Sequence, residues 1–105
     1  MPGDSQAMEE LRRMDFEKHL GDTFRVETES EETVDLVLVE TTEIGSERSY
    51  TKRAEPFAVE FRGPSDLLLE QGTRELVHEH LGTMELFIVP VGPDDEGIRY
   101  EAVFN

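Results

Sequence analysis

The chain of 105 residues contains no cysteine. Disulfide bonds, thiolate metal sites and cysteine nucleophiles are therefore excluded, and the composition agrees with a reducing compartment. Long apolar runs are also missing, because no stretch approaches the roughly 18 residues of a membrane span. The opening segment MPGDSQAMEELRR lacks the apolar region of a secretion signal. We therefore expect a soluble cytoplasmic protein that does not contact a membrane.

Positive charge is scarce. Ten lysines and arginines stand against 25 acidic residues, which gives a formal net charge of -15, and Lys18 and Lys52 are the only lysines. Repulsion of this size opposes binding to DNA, RNA or an anionic membrane, so we expect no nucleic acid partner. The carboxylate-rich surface has two interpretations. One is that it serves solubility or adaptation to salt, and the other is that it is a docking surface for a basic partner.

Recognised catalytic motifs are absent as well. Ser49 and Ser65 lie in no nucleophile motif, and the glycines match neither a phosphate-binding loop nor a dinucleotide fingerprint. We therefore predict a noncatalytic protein with no catalytic residue and no cofactor.

The apolar residues, 36% of the chain, are clustered and suffice for one core. We expect residues 1–10 to be flexible and residues 11–105 to form a single β-rich domain. MDFEKHLGD predicts a short helix with Asp15 as its cap, Phe16 and Leu20 on one face and Gly21 at its end. His19 falls in the last turn, where a cation complements the helix dipole.

From Thr23 onward the apolar pattern has a period of two, which is typical of strands. About six short strands separated by turns predict an antiparallel meander that closes into a small barrel or roll. SDLLLEQG, between two of these strands, predicts one helical turn capped by Ser65. The residues expected to point inward are Phe24, Val26, Thr28, Val34, Leu36, Leu38, Phe57, Val59, Phe61, Leu76, His78, His80, Ile98, Tyr100, Ala102 and Phe104.

GTMELFIVPVG is the most apolar stretch of the chain. Both of its faces are hydrophobic, which predicts a central strand covered on both sides. We therefore expect Phe87 in the core, where truncation to alanine costs about 3 to 5 kcal/mol. Pro90 predicts a bulge or the end of strand pairing.

The sequence resembles a small bacterial family, a domain of unknown function, over about residues 11–105. The resemblance rests on Gln71-Gly72-Thr73, on Leu76 with His78, on Leu81-Gly82, and on LFIVPVG followed by YEAVFN. Arg74 departs from the pattern, in which an aromatic residue is expected. The resemblance implies a small β-rich domain encoded near genes for phage-tail-like proteins, and it carries over no catalytic residues.

ELVHEHLG places His78 and His80 one residue apart, on the same face of a predicted strand. Two imidazoles at this spacing can hold one Zn²⁺ or Cu²⁺ ion if a third ligand is supplied, but the sequence shows no third ligand. Because a turn follows at Leu81 and Gly82, we predict instead that His78 hydrogen-bonds the turn backbone without a metal. His78 and His80 remain the candidate metal ligands.

The connection IGSERSYTKRAE carries the chain's main basic cluster, Arg48, Lys52 and Arg53. Exposed loops commonly make contacts, so this segment is a possible contact loop. The sequence as a whole predicts a noncatalytic module for an unidentified protein partner or a structural role, with an accessory of a phage-tail-like assembly implied by the resemblance. Two alternatives stay open, namely a small-ligand or metal-binding β-barrel that uses His78 and His80, and an acidic mimic of nucleic acid.

Overall fold

A computed structural model describes residues 11–28, 30–44 and 56–104 of the chain. One short helix precedes six strands, in agreement with the periodicity of the sequence. The elements are α1 (Arg13–Glu17), β1 (Thr23–Glu27), β2 (Thr33–Glu43), β3 (Phe57–Gly63), β4 (Gly72–His78), β5 (Gly82–Asp94) and β6 (Gly97–Phe104).

The six strands close into a barrel in the order β1-β2-β3-β6-β5-β4. Every neighbouring pair is antiparallel, so the predicted mainly β class and the small antiparallel barrel are confirmed. The order departs from a simple meander at one place, because β3 pairs with β6 and β4 pairs with β1. Residues 64–71 therefore cross one end of the barrel. Closure pairs both edges of the sheet.

The crossover is not the helical turn predicted for SDLLLEQG. Ser65 and Asp66 form a turn, and the following residues have no regular structure. Leu69 is buried, and its backbone N–H donates to Tyr100 Oη at 2.9 Å inside the core. An irregular, partly extended path is favoured here because a helix advances only about 1.5 Å per residue, less than half the reach of an extended chain.

The helix α1 covers the opposite end of the barrel. Phe16 is fully buried, and its ring centre lies 5.3 Å from that of Phe104 and 5.9 Å from that of Phe57. Arg12, not Asp15, is the N-terminal cap residue, and the Arg12 backbone N–H donates to the Asp15 carboxylate at 2.8 Å. The helix ends at Glu17, so Leu20 does not share its buried face and is exposed.

The core is filled by the inward residues of the strands, as the alternation predicted. Thr28 and Ile98 are only partly buried and His80 is exposed, whereas the other predicted inward residues are buried. Pro90 marks a bulge, because the pairing of β5 with β6 shifts register between Pro90 and Gly92.

The prediction for Phe87 is wrong. Its side chain is 54% exposed, whereas Leu86 and Ile88 on either side of it are buried. A closed barrel has no central strand, since each strand turns one face inward and the other face outward. An apolar outer face of β5 therefore stays in contact with solvent.

The outer surface of β2, β3 and β6 carries a network of ion pairs. Arg99 contacts Glu60, Glu40 and Asp94, and Arg62 contacts Asp94 at 2.9 Å. Arg62, Arg99 and Glu60 are partly buried, so these charges are held among opposite charges rather than exposed singly.

The two segments 1–10 and 45–55 lie outside the described residues. The first was expected to be flexible, and the second contains the possible contact loop with Arg48, Lys52 and Arg53. Within the described part of the chain, no helix is long and apolar enough to cross a bilayer.

Candidate functional site

The three histidines of the chain meet at the barrel end that α1 covers. His19 follows α1, His78 ends β4, and His80 lies in the turn before β5. The ring centre of His19 lies 4.5 Å from that of His78 and 5.7 Å from that of His80. The sequence pointed to His78 and His80, but it gave no sign that His19 and Asp22 would join them.

His78 is buried, with 3% of its surface exposed, because it continues the inward face of β4 after Leu76. Its Nδ1 accepts hydrogen bonds from the backbone N–H groups of His80 and Leu81, both at 3.0 Å. The predicted bond between His78 and the turn backbone is therefore present. Because Nδ1 accepts twice, the proton of the neutral ring is on Nε2.

Asp22 joins His78 to His19 through a single carboxylate oxygen. Its Oδ2 lies 2.9 Å from His78 Nε2 and 2.9 Å from His19 Nδ1. The hydrogen bond from His78, followed by that from His19, lowers the pKa of Asp22 below its ordinary value, while burial acts in the opposite direction. An ionised carboxylate can only accept, so both ring nitrogens are donors toward it.

The backbone around Asp22 is held by β2. The Gly21 N–H donates to the Leu38 carbonyl at 2.8 Å, and the Leu38 N–H donates to the Asp22 carbonyl at 3.0 Å. Gly21 has a φ of 91°, a left-handed conformation that glycine adopts without strain. This turn directs the Asp22 side chain toward the end of β4.

His80 does not share the inward face with His78, contrary to the prediction. The strand β4 ends at His78, and the chain turns before Gly82, which has a φ of 83°. The His80 side chain is therefore 65% exposed, and its Nε2 lies 3.3 Å from Glu79 Oε2. A shallow depression of about 280 Å³ at this end is lined by Asp22, Thr23, His78, Glu79 and His80.

The hydrogen bonds of this cluster fix the positions of the Asp22 carboxylate and of the His19 ring. Among residues 11–28, 30–44 and 56–104, no hydroxyl group hydrogen-bonds a histidine ring, so the geometry of an activated nucleophile is not formed there.

A second candidate surface lies on the outside of β5 and β6. Phe87, Val91 and Val103 are 54%, 50% and 48% exposed, and Val89 is partly buried beside them. Val89 pairs with Glu101, and continuing this register by two residues places Phe87 opposite Val103. These four apolar side chains, hereafter the apolar strip, lie on the outer wall of the barrel, with Glu101 opposite Val89.

Carboxylates flank the apolar strip. Glu75 on β4 pairs directly with Glu85 on β5, and both side chains are exposed. Like charges directly opposite each other on a sheet are destabilising unless a cation lies between them. Neither carboxylate forms an ion pair with a residue in the described ranges.

Fold and surface together define the class of protein, which is a closed six-stranded antiparallel β-barrel covered at one end by a single helix. Residues 11–104 match the family model described as Domain of unknown function (DUF6916), and the chain belongs to this family. The resemblance to an uncharacterised domain family is thereby confirmed. No curated protein and no solved structure matches the chain.

Proposed function

We propose that this domain is a noncatalytic protein-interaction module and that the apolar strip is the surface with which it binds its partner. The observation that carries the proposal is the grouping of four solvent-facing apolar side chains around Phe87 on the outer wall of β5 and β6. Single exposed apolar residues are ordinary, whereas contiguous apolar patches mark interaction sites.

The surroundings of the apolar strip favour a basic partner. Glu75 and Glu85 flank Phe87 and have no cation among the described residues, so arginines or lysines of a partner would relieve their repulsion. A cation placed over the Phe87 ring would gain a further favourable contact. An apolar centre with a charged rim is the usual anatomy of a protein interface.

A second copy of the chain fits this surface less well. Each copy carries a formal net charge of -15, and two such surfaces repel each other over about 10 Å at 0.1 M salt. We therefore propose a heterologous partner. An accessory position in a phage-tail-like assembly is the proposed setting, and its support is the family resemblance of the sequence.

The ligand-binding alternative has weaker support. It needs an open barrel end near His78, and Phe16 is fully buried over this end against Phe57 and Phe104. The inward side chains also fill the barrel interior.

The proposal is tested by affinity capture from a lysate of the source organism, combined with cross-linking. The wild-type chain is compared with Phe87→Ser and with Leu68→Ser, a matched control at a residue that is exposed outside the apolar strip. We expect one basic protein to be captured in stoichiometric amount by the wild type and by the control, and to be lost with Phe87→Ser. Cross-links should fall on β4, β5 or β6.

The proposed attraction of a basic partner to Glu75 and Glu85 is tested with the double variant Glu75→Gln, Glu85→Gln. This variant should weaken the same capture and reduce its sensitivity to salt. Sedimentation of the purified chain tests for self-association. Capture that is equal for wild type and Phe87→Ser, or dimerisation abolished by Phe87→Ser, would contradict a heterologous partner on this surface. If the captured partner is a DNA-binding protein that DNA displaces, mimicry of nucleic acid becomes the better description.

A further inference from the structure

The pairing of β2 with β3 stops before β2 itself ends. The strand β2 begins at Thr33, but its register with β3 ends at the pair of Val37 and Arg62. Continuing that register by two residues places Pro64 opposite Asp35. Because proline has no N–H, Pro64 cannot donate to the Asp35 carbonyl, and the chain leaves the sheet here as the crossover.

The direction of the backbone groups in β2 follows from hydrogen bonds near its two ends. The Leu38 N–H donates to the Asp22 carbonyl at 3.0 Å, and the Glu32 carbonyl accepts an N–H from the other side of the β1–β2 turn at 2.9 Å. Both residues thus turn their backbone groups toward β1, and in an antiparallel sheet alternate residues bond to opposite neighbours. The backbone groups of Thr33 and Asp35 therefore point away from β1. Within the part of the chain that the structure describes, no backbone group pairs with them there.

A cleft of about 510 Å³ lies beside these backbone groups, hereafter the free edge of β2. Across from Thr33 and Asp35 it is lined by Pro64 and Leu67 of the crossover, and Val37 on the outer face of β2 adds a further apolar side chain. The volume is in the range of ligand-binding clefts. An extended chain laid along the free edge would thus find hydrogen-bonding groups on one side and apolar contacts on the other.

The charge around the cleft is negative. Four carboxylates line it, those of Glu32, Asp35, Asp66 and Glu96. Arg62 also lines it, but its guanidinium is already paired with Asp94 at 2.9 Å and with Glu96 at 3.0 Å. Glu32 and Asp66 form no ion pair with any residue in the ranges 11–28, 30–44 and 56–104. A cationic side chain is therefore the charge that complements this cleft.

We propose that the cleft binds an extended segment of a partner protein by β-strand addition to the free edge of β2, and that this segment carries lysine or arginine beside apolar side chains. In this mode of recognition the main-chain hydrogen bonds supply affinity and the side-chain contacts supply specificity. Thr33 and Asp35 each offer one N–H and one carbonyl to the added strand. No residue of the apolar strip lines the cleft, so the inference does not rest on the function proposed for that strip.

The test uses a synthetic peptide, Val-Lys-Val-Lys-Val, acetylated and amidated to remove its terminal charges. It is titrated into the ¹⁵N-labelled full chain, and NMR follows amide shifts and hydrogen exchange. We expect saturable binding in which exchange of the Thr33 and Asp35 N–H groups slows about tenfold at a peptide concentration of about ten times Kd. The N–H groups of Val34 and Leu36, which point toward β1, should be protected already in the chain alone.

Two control peptides separate the parts of the proposal. A peptide with N-methylated backbone amides lacks the main-chain donors, and a peptide with glutamate in place of lysine lacks the cations. Both should bind at least about tenfold more weakly, which corresponds to about 1.4 kcal/mol.

Variants of the chain locate the site. Asp66→Asn should weaken the lysine peptide about two- to fivefold, the range of an exposed ion pair. Glu85→Gln, at an exposed carboxylate outside the cleft, is the matched control and should bind like the wild type. Phe87→Ser should also bind the peptide like the wild type, which keeps this test separate from that of the apolar strip.

The proposal is overturned if the lysine peptide does not bind saturably or if it leaves the exchange of the Thr33 and Asp35 N–H groups unchanged. Equal binding of the N-methylated peptide would exclude strand addition. Equal binding of the glutamate peptide would exclude recognition of a basic segment.

Discussion

His78 and His80 are two positions apart in the chain, yet their side chains have different surroundings. His78 lies on the inward face of β4 and meets Asp22 and two backbone N–H groups, whereas His80 lies in an exposed turn. A buried ring nitrogen without a partner would be penalised, and all of the hydrogen-bonding capacity of His78 is used. Side-chain environment, more than the His-x-His spacing, therefore determines what each ring can do.

Phe87 and Phe61 are a matched pair for a prediction about the stability contributed by single residues. Phe61 is fully buried and packs against Phe24 at 5.2 Å between ring centres, while Phe87 faces solvent. We expect Phe61→Ala to cost about 3 to 5 kcal/mol and Phe87→Ala less than about 1 kcal/mol, because only the first leaves a cavity. Chemical denaturation measures both free energies of unfolding. A large loss with Phe87→Ala would mean that another part of the chain covers the apolar strip.

At the scale of elements, the hairpin between β5 and β6 depends on Asp94. The Asp94 Oδ1 accepts the backbone N–H groups of Glu96 at 2.8 Å and Gly97 at 3.0 Å, and its Oδ2 accepts from Arg62. Gly97 is required at this turn, because a Cβ there would lie 2.1 Å from the Gly63 carbonyl oxygen. The hairpin is thereby joined to the end of β3.

These contacts predict how the stability of the fold depends on acidic pH. The hydrogen bond from Arg62, with that from the Glu96 backbone, lowers the pKa of Asp94 from 3.8 to about 2 in the folded protein. The unfolded chain therefore binds more protons between these two values, so stability present above about pH 4 should be lost as the pH falls toward 2. Urea unfolding across this range should show a shallower loss for Asp94→Asn than for the wild type.

Asp95→Asn is the control, because Asp95 forms no ion pair within the described ranges. It should keep the acid dependence of the wild type. An identical dependence for Asp94→Asn and wild type would show that other carboxylates account for the loss.

For the whole molecule, the dominant quantity is the net charge of -15. Self-repulsion of this excess opposes the compact state, and the ion pairs of Arg62 and Arg99 offset it only on the outer face of β2, β3 and β6. Carboxylates elsewhere, such as the opposed Glu75 and Glu85, remain uncompensated among the described residues.

We therefore expect the melting temperature to rise between about 0.05 and 1 M NaCl, because the screening length falls from more than 10 Å to about 3 Å. A neutral osmolyte, compared at matched concentration, separates charge screening from general preferential exclusion. An unchanged or lower melting temperature would indicate that the carboxylates are already compensated locally, which would favour a patterned docking surface over salt adaptation.

Much of the fold follows from local pattern. Alternation identified the inward residues of the strands other than β5, such as Phe24 on β1 and Tyr100 on β6, because successive side chains on a strand point to opposite faces. The same rule could not tell that the second apolar face, around Phe87, stays exposed. That depends on whether the sheet closes on itself or is covered by another layer.

The histidine cluster at the barrel end shows the limit of local pattern more sharply. The sequence by itself determined the β class, the helix before the strands and the hydrogen bond of His78 to its own turn, since each depends on residues close together in the chain. Only the tertiary structure brought Asp22 to His78, which is 56 positions away. It also placed His19 beside His80. The physical reason is that barrel closure pairs β1 with β4, and such long-range pairing is decided by the packing of the whole sheet.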